Sequence, residues 1–482
     1  MKMSYEEYQQ LKEEYSVVPV YKTIEEDQLT PIGMFNKLSA YKPTYILESV
    51  GDPQHLGRYS FIGLETEYLT EADNELTFDA IEALVNRYTG PEIEALPSSY
   101  ASIIGYMAYN SIEDIHPITV NKRSSIPKYQ LMFSNLVIVH DHLKHRLTII
   151  ANVLNGKADD YDGAMEKIEM VYQMLISTDN QNSVETRVST ETNKASDPLV
   201  FHSNFAKPDY VAAVNKAKDY IVAGDIFQVV LSQKFTASGR LEGFDLYRNL
   251  RKENPSPYLS YIRFPNIEVL CSSPEMLVKT DGHIVETAPI AGTRAVKRDG
   301  KDHLREAELL NDEKELAEHL MLVDLGRNDI GKVSKPGTVR VPEYCQAKHF
   351  SKVMHLVSSV EGDVCNDTTA MDCLRATFPA GTVSGAPKLR AMEIIDELEP
   401  GPRDLYAGSL MMFTQSGQLN SCISIRTIQL IQNEIIVQAG GGIVYDSNPE
   451  DEYLEVLNKS RALFNAIEKT YEGDITYDFD YR

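Results

Sequence analysis

The chain has 482 residues, 43% of them hydrophobic and 24% charged, the proportions of a folded globular protein with more length than one ordinary domain needs. Its 47 basic against 71 acidic side chains leave a net charge of −24, which argues against nonspecific binding to nucleic acid or to an anionic membrane. Any anionic substrate must therefore be met by local positive groups or by a metal ion.

In chain order, the start MKMSYEEYQQLKEEY is polar and lacks an apolar signal core. Up to residue 176, short β-like runs (PTYILESV, GRYSFIGL, YQLMFSNLVIVHD, HRLTIIANVL) mix with helical stretches. STDNQNSVETRVSTETNKASDP, residues 177–198, is polar and nearly free of large apolar groups, so it reads as an exposed connector. The expected division is an N-terminal domain at 1–176, a connector at 177–204 and a larger domain at 205–482. In the last region IFQVVLSQKFTA, YLSYIRF, IEVLCSSPE, SCISIRTIQLI and EIIVQAGGGIVY read as strands among helices. Few of them fall in β-α-β order, so the expected fold class is α+β with largely antiparallel sheets. The cysteines (Cys271, Cys345, Cys365, Cys373, Cys422) are odd in number and show no C-x-x-C, as in a reduced compartment. No apolar run spans a bilayer, and the expected location is cytoplasmic.

Two predicted helices each carry an E-x-x-E pair, Glu315 with Glu318 and Glu452 with Glu455, and residues at i and i+3 share a helix face. In the first helix, Asp312 and Glu315 resemble a capping box, Leu316 and Leu320 supply the buried stripe, and Gly326 is the expected C-cap. In the second, Asn448 caps and Pro449 occupies the first turn. Glutamates in first turns also favour the helix dipole, and Glu455 with Lys459 makes an ordinary i,i+4 pair, so these segments alone do not force metal binding. Three glycine-rich passages add to them: PIAGTR, FPAGTVSGAPK with Gly381, Thr382, Ser384 and Gly385, and QAGGG with Gly440, Gly441 and Gly442. With the basic residues Arg426 and Lys459, this combination describes a site for a Mg²⁺-bound polycarboxylate.

ELAEHLMLVDLGRND, MHLVSSVEG, TFPAGTVSGAPK, SSPEMLVK and QAGGGIVYDSNPEDEYLEVLNKSRAL together resemble the chorismate-utilising enzymes, and among them the large component of anthranilate synthase. The resemblance implies an α/β sandwich of two large, roughly orthogonal antiparallel sheets flanked by helices. It implies Mg²⁺ as cofactor, with Glu318 and Glu455 as ligands and Glu315 and Glu452 supporting through bound water. Gly292, Thr293, Tyr406, Arg426, Gly440, Gly441, Gly442 and Lys459 would hold chorismate, Arg426 by a bidentate fork to a carboxylate. Glu275 would be the general acid for the leaving hydroxyl, with His355 associated with loss of pyruvate and Thr382 as a further catalytic residue.

Two positions bear on the reaction. Isochorismate-type relatives carry a lysine base where this chain has Gln228, and aminodeoxychorismate synthases a nucleophilic lysine where it has Ala291. The expected nucleophile is then ammonia, and the expected reaction converts chorismate to anthranilate and pyruvate, the first step of tryptophan biosynthesis. No G-x-C-x-G elbow is present, so a separate glutamine amidotransferase subunit would supply the ammonia. The alternatives are an aminodeoxychorismate or isochorismate synthase, and a catalytically inactive amino-acid-binding regulator. The resemblance also implies a tryptophan feedback pocket made by Glu48, Ser49, Arg58, Pro257, Tyr258, Leu259, Leu410 and Met412. Leu259, Leu410 and Met412 depart from the residues common in that pocket, which leaves the strength of inhibition open.

Overall fold

The computed structural model describes residues 2–49, 57–70, 76–156, 160–177, 198–350 and 353–480. Most of the expected connector, 178–197, lies outside the described residues.

The strand Tyr129–Asp141 organises the molecule: it is buried at every position but Asn135, so both of its faces are covered and its run of apolar residues does not alternate. One edge pairs with Tyr59–Tyr68, and the other with Ile103–Met107 at its start and Arg146–Leu154 at its end. Two antiparallel arms leave from it. The first runs through Tyr59–Tyr68, Tyr45–Glu48, Tyr258–Arg263, Glu268–Ser273, Thr427–Ile431 and Glu434–Ile443 to Gln228–Ser238. The second runs through Ile103–Met107, Ser409–Phe413, Leu419–Ile423, Met276–Thr280 and Ile284–Thr287 to Val353–Asp363. Among the described residues, Leu199–Ser203 with Ile475–Tyr477 is the parallel pairing. This is the α+β, largely antiparallel fold expected from the strand order.

The sheets cross the sequence boundaries at 176 and 205. Glu48 lies opposite Leu259, Tyr106 opposite Leu410, and one buried cluster extends from Met3 to Ile467. Leu199–Ser203, inside the span assigned to the connector, is a strand paired with Gln228–Ser238. No helix among the described residues is long and apolar enough to cross a membrane.

Two local expectations are corrected. SCISIRTIQLI is not one strand: it breaks between Leu419–Ile423 and Thr427–Ile431 where Arg426 takes a left-handed φ of 51°. In helix Glu313–Gly331, Gly326 is not a cap but an interior position, where an added Cβ would meet Thr287 Cγ2 at 3.2 Å. The helix backbone approaches the sheet there, so its buried stripe runs through His319, Leu322, Val323, Gly326 and Ile330, while Leu320 is 48% exposed. Half of the expected capping box is present: the Asp312 carboxylate accepts from the Lys314 and Glu315 N–H groups, but the Glu315 carboxylate turns to Arg294. The second acidic helix, Pro449–Thr470, is capped by Asn448 with Pro449 in its first turn, as expected.

Candidate active site

Glu275 follows the strand Glu268–Ser273 and precedes Met276–Thr280, so it sits at a break between two buried strands. Its backbone is held at both ends: the N–H donates to Ser273 Oγ at 3.3 Å and the carbonyl accepts from Ile423 N–H at 3.0 Å. The carboxyl is buried, and desolvation pushes its pKa up to about 8, opposed by the Thr382 hydroxyl and by Lys459. Thr382 Oγ1 is itself buried beside this carboxyl and has no other hydrogen-bond partner among the described residues. The pair is therefore a neutral carboxyl beside a hydroxyl at neutral pH, the state a general acid needs.

Across the recess, the glycines leave room that side chains would fill. A Cβ on Gly440 would stand 2.6 Å from the Tyr406 hydroxyl, one on Gly441 3.1 Å from Glu452 Oε2, and one on Gly442 2.5 Å from Gln228 Nε2. Gln228, expected to bear on the reaction type, is buried with its Oε1 unpartnered and its Nε2 beside Gly442. Lys459 Nζ reaches the Gly440 carbonyl at 3.1 Å and the Glu455 carboxylate at 2.7 Å. Arg426 Nη1 donates to the Lys459 carbonyl at 2.5 Å, and Arg426 has no carboxylate partner among the described residues. Its left-handed backbone, unfavourable by about 1–2 kcal/mol for a residue with a Cβ, ends the strand and holds this cation at the recess. Burial pushes the Tyr406 phenol up to about 12, so it remains a donor.

His355 lies on Val353–Asp363, opposite the PIAGTR strand. Its Nδ1 is 2.7 Å from the Gly292 carbonyl and 3.2 Å from Thr293 Oγ1. A carbonyl only accepts, so Nδ1 carries the proton and Nε2 is left as a lone pair. Burial lowers the pKa, and the Arg426 charge lowers it further, so the ring is neutral at pH 7. Gly292 has a φ of 64°, and a Cβ there would meet Leu309 Cδ1 at 2.9 Å and Glu315 Oε2 at 3.1 Å. Position 292 thus requires glycine for both conformation and space.

The four glutamates lie near the starts of two helices, and Glu318 and Glu452 each feel the charge of Glu455. Burial raises the pKa of Glu318, and Glu315 and Glu455 raise it further; burial likewise raises that of Glu452, helped by Glu455. Glu452 Oε1 accepts from Ser447 Oγ at 2.7 Å, while its buried Oε2 has no partner. Glu315 is engaged by Arg294 at 3.0 Å. Among the described residues, no group of three or more acidic, histidine or cysteine side chains is gathered closely enough to hold a metal ion alone. The set still fits Mg²⁺, because it offers hard oxygens, an orphaned buried carboxylate atom and mutual repulsion that a cation relieves. Mg²⁺ commonly takes one or two carboxylates and completes its shell with ligand oxygens and water.

Of the eight residues expected to bind an effector, seven line a separate cavity of about 160 Å³: Glu48, Ser49, Pro257, Tyr258, Leu259, Leu410 and Met412. Arg58 is not among them; it pairs with Asp141 at 3.0 Å. The Glu48 carboxylate is already held by Tyr247 and Arg251, each at 2.8 Å, so it fixes the wall of the cavity. Cys422 lines this cavity, and the next residue, Ile423, holds the Glu275 carbonyl, so one strand separates the two recesses.

A buried ion pair was not foreseen. Arg403 donates Nη2 to Glu399 at 2.6 Å, Nη1 to the Val383 carbonyl and Nη2 to the Val230 carbonyl, each of the latter at 2.7 Å. It thus ties the Thr382 loop to the Gln228 strand, and its own carbonyl accepts the Tyr406 N–H. In sequence it is only an acid and a base four residues apart near a helix end.

A family model for chorismate binding enzymes matches residues 42–465. Anthranilate synthase component 1 of Acetivibrio thermocellus is 40% identical, covering 96% of this chain and 97% of the relative. That of Aquifex aeolicus is 38% identical, over 98% and 99%. The crystal structure of anthranilate synthase component I from Streptococcus pneumoniae superposes with a TM-score of 0.74 at 33% identity, over 91% of this chain and 98% of that one. The menaquinone-specific isochorismate synthase of Escherichia coli shares the fold, with a TM-score of 0.68 at 20% identity over 94% and 96%. With most of its length matched by the family model and these relatives aligned nearly end to end, the chain belongs to the chorismate binding enzymes.

Proposed function

We propose that the chain is the large, chorismate-converting component of an anthranilate synthase, forming anthranilate and pyruvate from chorismate and ammonia. The observation that carries this reading is the neutral Glu275 carboxyl facing a recess whose discriminating position is the neutral Gln228. A lysine there could activate water; an amide cannot, and ammonia needs no such activation.

Arg426 and Lys459 bind the substrate carboxylates, and the glycines at 440–442 let the ring lie against backbone. Ammonia attacks the ring carbon ortho to the carboxylate-bearing carbon. Glu275 gives its proton to the departing hydroxyl, which leaves as water, and Thr382 donates to the new carboxylate. The amine's extra proton returns to the Glu275 carboxylate; His355 Nε2 then takes the proton of the aminated ring carbon as the enolpyruvyl C–O bond breaks, and that proton ends on the enolpyruvyl methylene, so pyruvate leaves and the aromatic amine remains. Bound Mg²⁺, held by Glu318 and Glu455 with Glu315 and Glu452 behind them, would neutralise the substrate carboxylate. The ammonia comes from a separate glutamine amidotransferase subunit, and tryptophan bound in the cavity beside Ser49 opposes chorismate binding.

Incubating the chain with chorismate, Mg²⁺ and an ammonium salt should produce anthranilate fluorescence. Glutamine should replace ammonium only when the amidotransferase is added. Release of isochorismate or an amino intermediate as the sole product would overturn the assignment.

A further inference from the structure

A second cavity, of about 420 Å³, opens between Asp27–Ile32, the end of Tyr129–Asp141 with its turn, and helix Gly243–Glu253. That volume lies within the range of small-molecule sites. Its walls carry His140, His142 and His145 from the turn region and Arg248, Arg251 and Lys252 from the helix, against the acid Asp27. In a chain of net charge −24, six groups that are or can become cationic around one cavity depart from the average surface. Positions 248, 251 and 252 fall at i, i+3 and i+4, so one helix face presents all three. The helix C-terminus opposes an anion with only about half a charge.

Existing partners do not consume these groups. Arg248 pairs with Asp245 at 2.9 Å, and Arg251 commits Nε and Nη2 to Glu48, leaving Nη1 without a hydrogen bond among the described residues. Lys252 has no ion pair among the described residues. His142 Nε2 is 2.7 Å from Ser60 Oγ, with its ring 4.5 Å from that of His140. His140 is 7% exposed, and its buried Nδ1 has no hydrogen-bond partner.

We propose that this cavity is an anion site for a compact dianion of the phosphate class, either inorganic phosphate or the phosphate of a small phosphomonoester, held by Lys252, Arg251 Nη1 and the His140–His142 pair. Burial, His142 and His145 keep His140 neutral, against the weaker pull of Asp141 and Glu26. His142 is likewise held low by burial, with Arg251 and His145 adding to it and Glu48 and Asp141 opposing. A dianion reverses that balance, so at pH 7.5 its binding draws a proton onto the histidine pair.

The test is calorimetric titration of the full chain with inorganic phosphate, and separately with glucose 6-phosphate, at pH 7.5 in two buffers of different ionisation enthalpy and at constant ionic strength in chloride. Saturable one-to-one binding with net proton uptake, weakened about tenfold in Lys252→Gln, is expected, since that variant loses one charge-assisted hydrogen bond. Tighter binding of the sugar phosphate assigns the organic source, and equal binding assigns phosphate itself. His140→Gln, if folded by circular dichroism, should lose the proton uptake. No saturable heat, or unchanged affinity in Lys252→Gln, overturns the proposal.

Discussion

Glu275→Gln keeps the shape of the side chain and removes its titration, and the structure expects it to harm activity while raising stability. Burial moves the carboxyl from 4.5 to about 8. The folded protein therefore holds this proton more tightly than the unfolded chain does, so its contribution is fully favourable below the unfolded value and is lost as pH rises toward the folded one. Each pH unit between the two is worth about 1.36 kcal/mol. At pH 7, roughly 2.5 pH units above the unfolded value, wild type gives up about 3 kcal/mol, and the loss levels off near 5 kcal/mol above pH 8. Glutamine carries no such loss. The variant should lie within about 1 kcal/mol of wild type near pH 5 and be about 3 kcal/mol more stable at pH 7. Its anthranilate rate should fall by about 10²–10⁴, the usual contribution of a general acid. Urea unfolding followed by circular dichroism at pH 5, 7 and 9, with fluorescence assays on the same samples, measures both. A stability difference that does not change with pH, or a variant with near-normal turnover, would falsify the placement of a neutral acid at this position.

Glu318→Gln and Glu455→Gln should each abolish Mg²⁺-dependent turnover with the circular dichroism spectrum unchanged; metal-dependent activity surviving in both would reduce the glutamates to surface charge. Ser49→Phe should fill the 160 Å³ cavity and remove tryptophan inhibition while sparing turnover. The chain contains no tryptophan, so indole fluorescence reports the added ligand alone, and equal inhibition of both proteins would refute the pocket. His355 must be neutral to act as a base, and its pKa is lowered, so the acid limb of the rate profile should lie below pH 6.5 and vanish in His355→Gln. Arg403→Leu leaves Glu399 as a buried unpaired carboxylate and should cost about 3–5 kcal/mol; the double change with Glu399→Leu should recover much of that.

The sequence alone determined the fold class, because strand runs such as YQLMFSNLVIVHD and EIIVQAGGGIVY carry local propensity that burial does not override. It also determined the caps of the acidic helices at Asp312 and Asn448, since capping depends on groups two or three residues away. The glycine and glutamate motifs marked which positions to watch, and the family resemblance suggested their roles. Only the tertiary structure decided that Gly326 is a packing position and that SCISIRTIQLI breaks at Arg426, because both depend on a neighbouring strand that local pattern cannot contain. It alone separated Arg58 from the cavity beside Ser49, by giving that side chain Asp141 as a partner 83 residues away. The raised pKa of Glu275 arises from desolvation and the Arg403 clamp from the Val383 and Val230 carbonyls, and both exist only once distant segments have closed over the group.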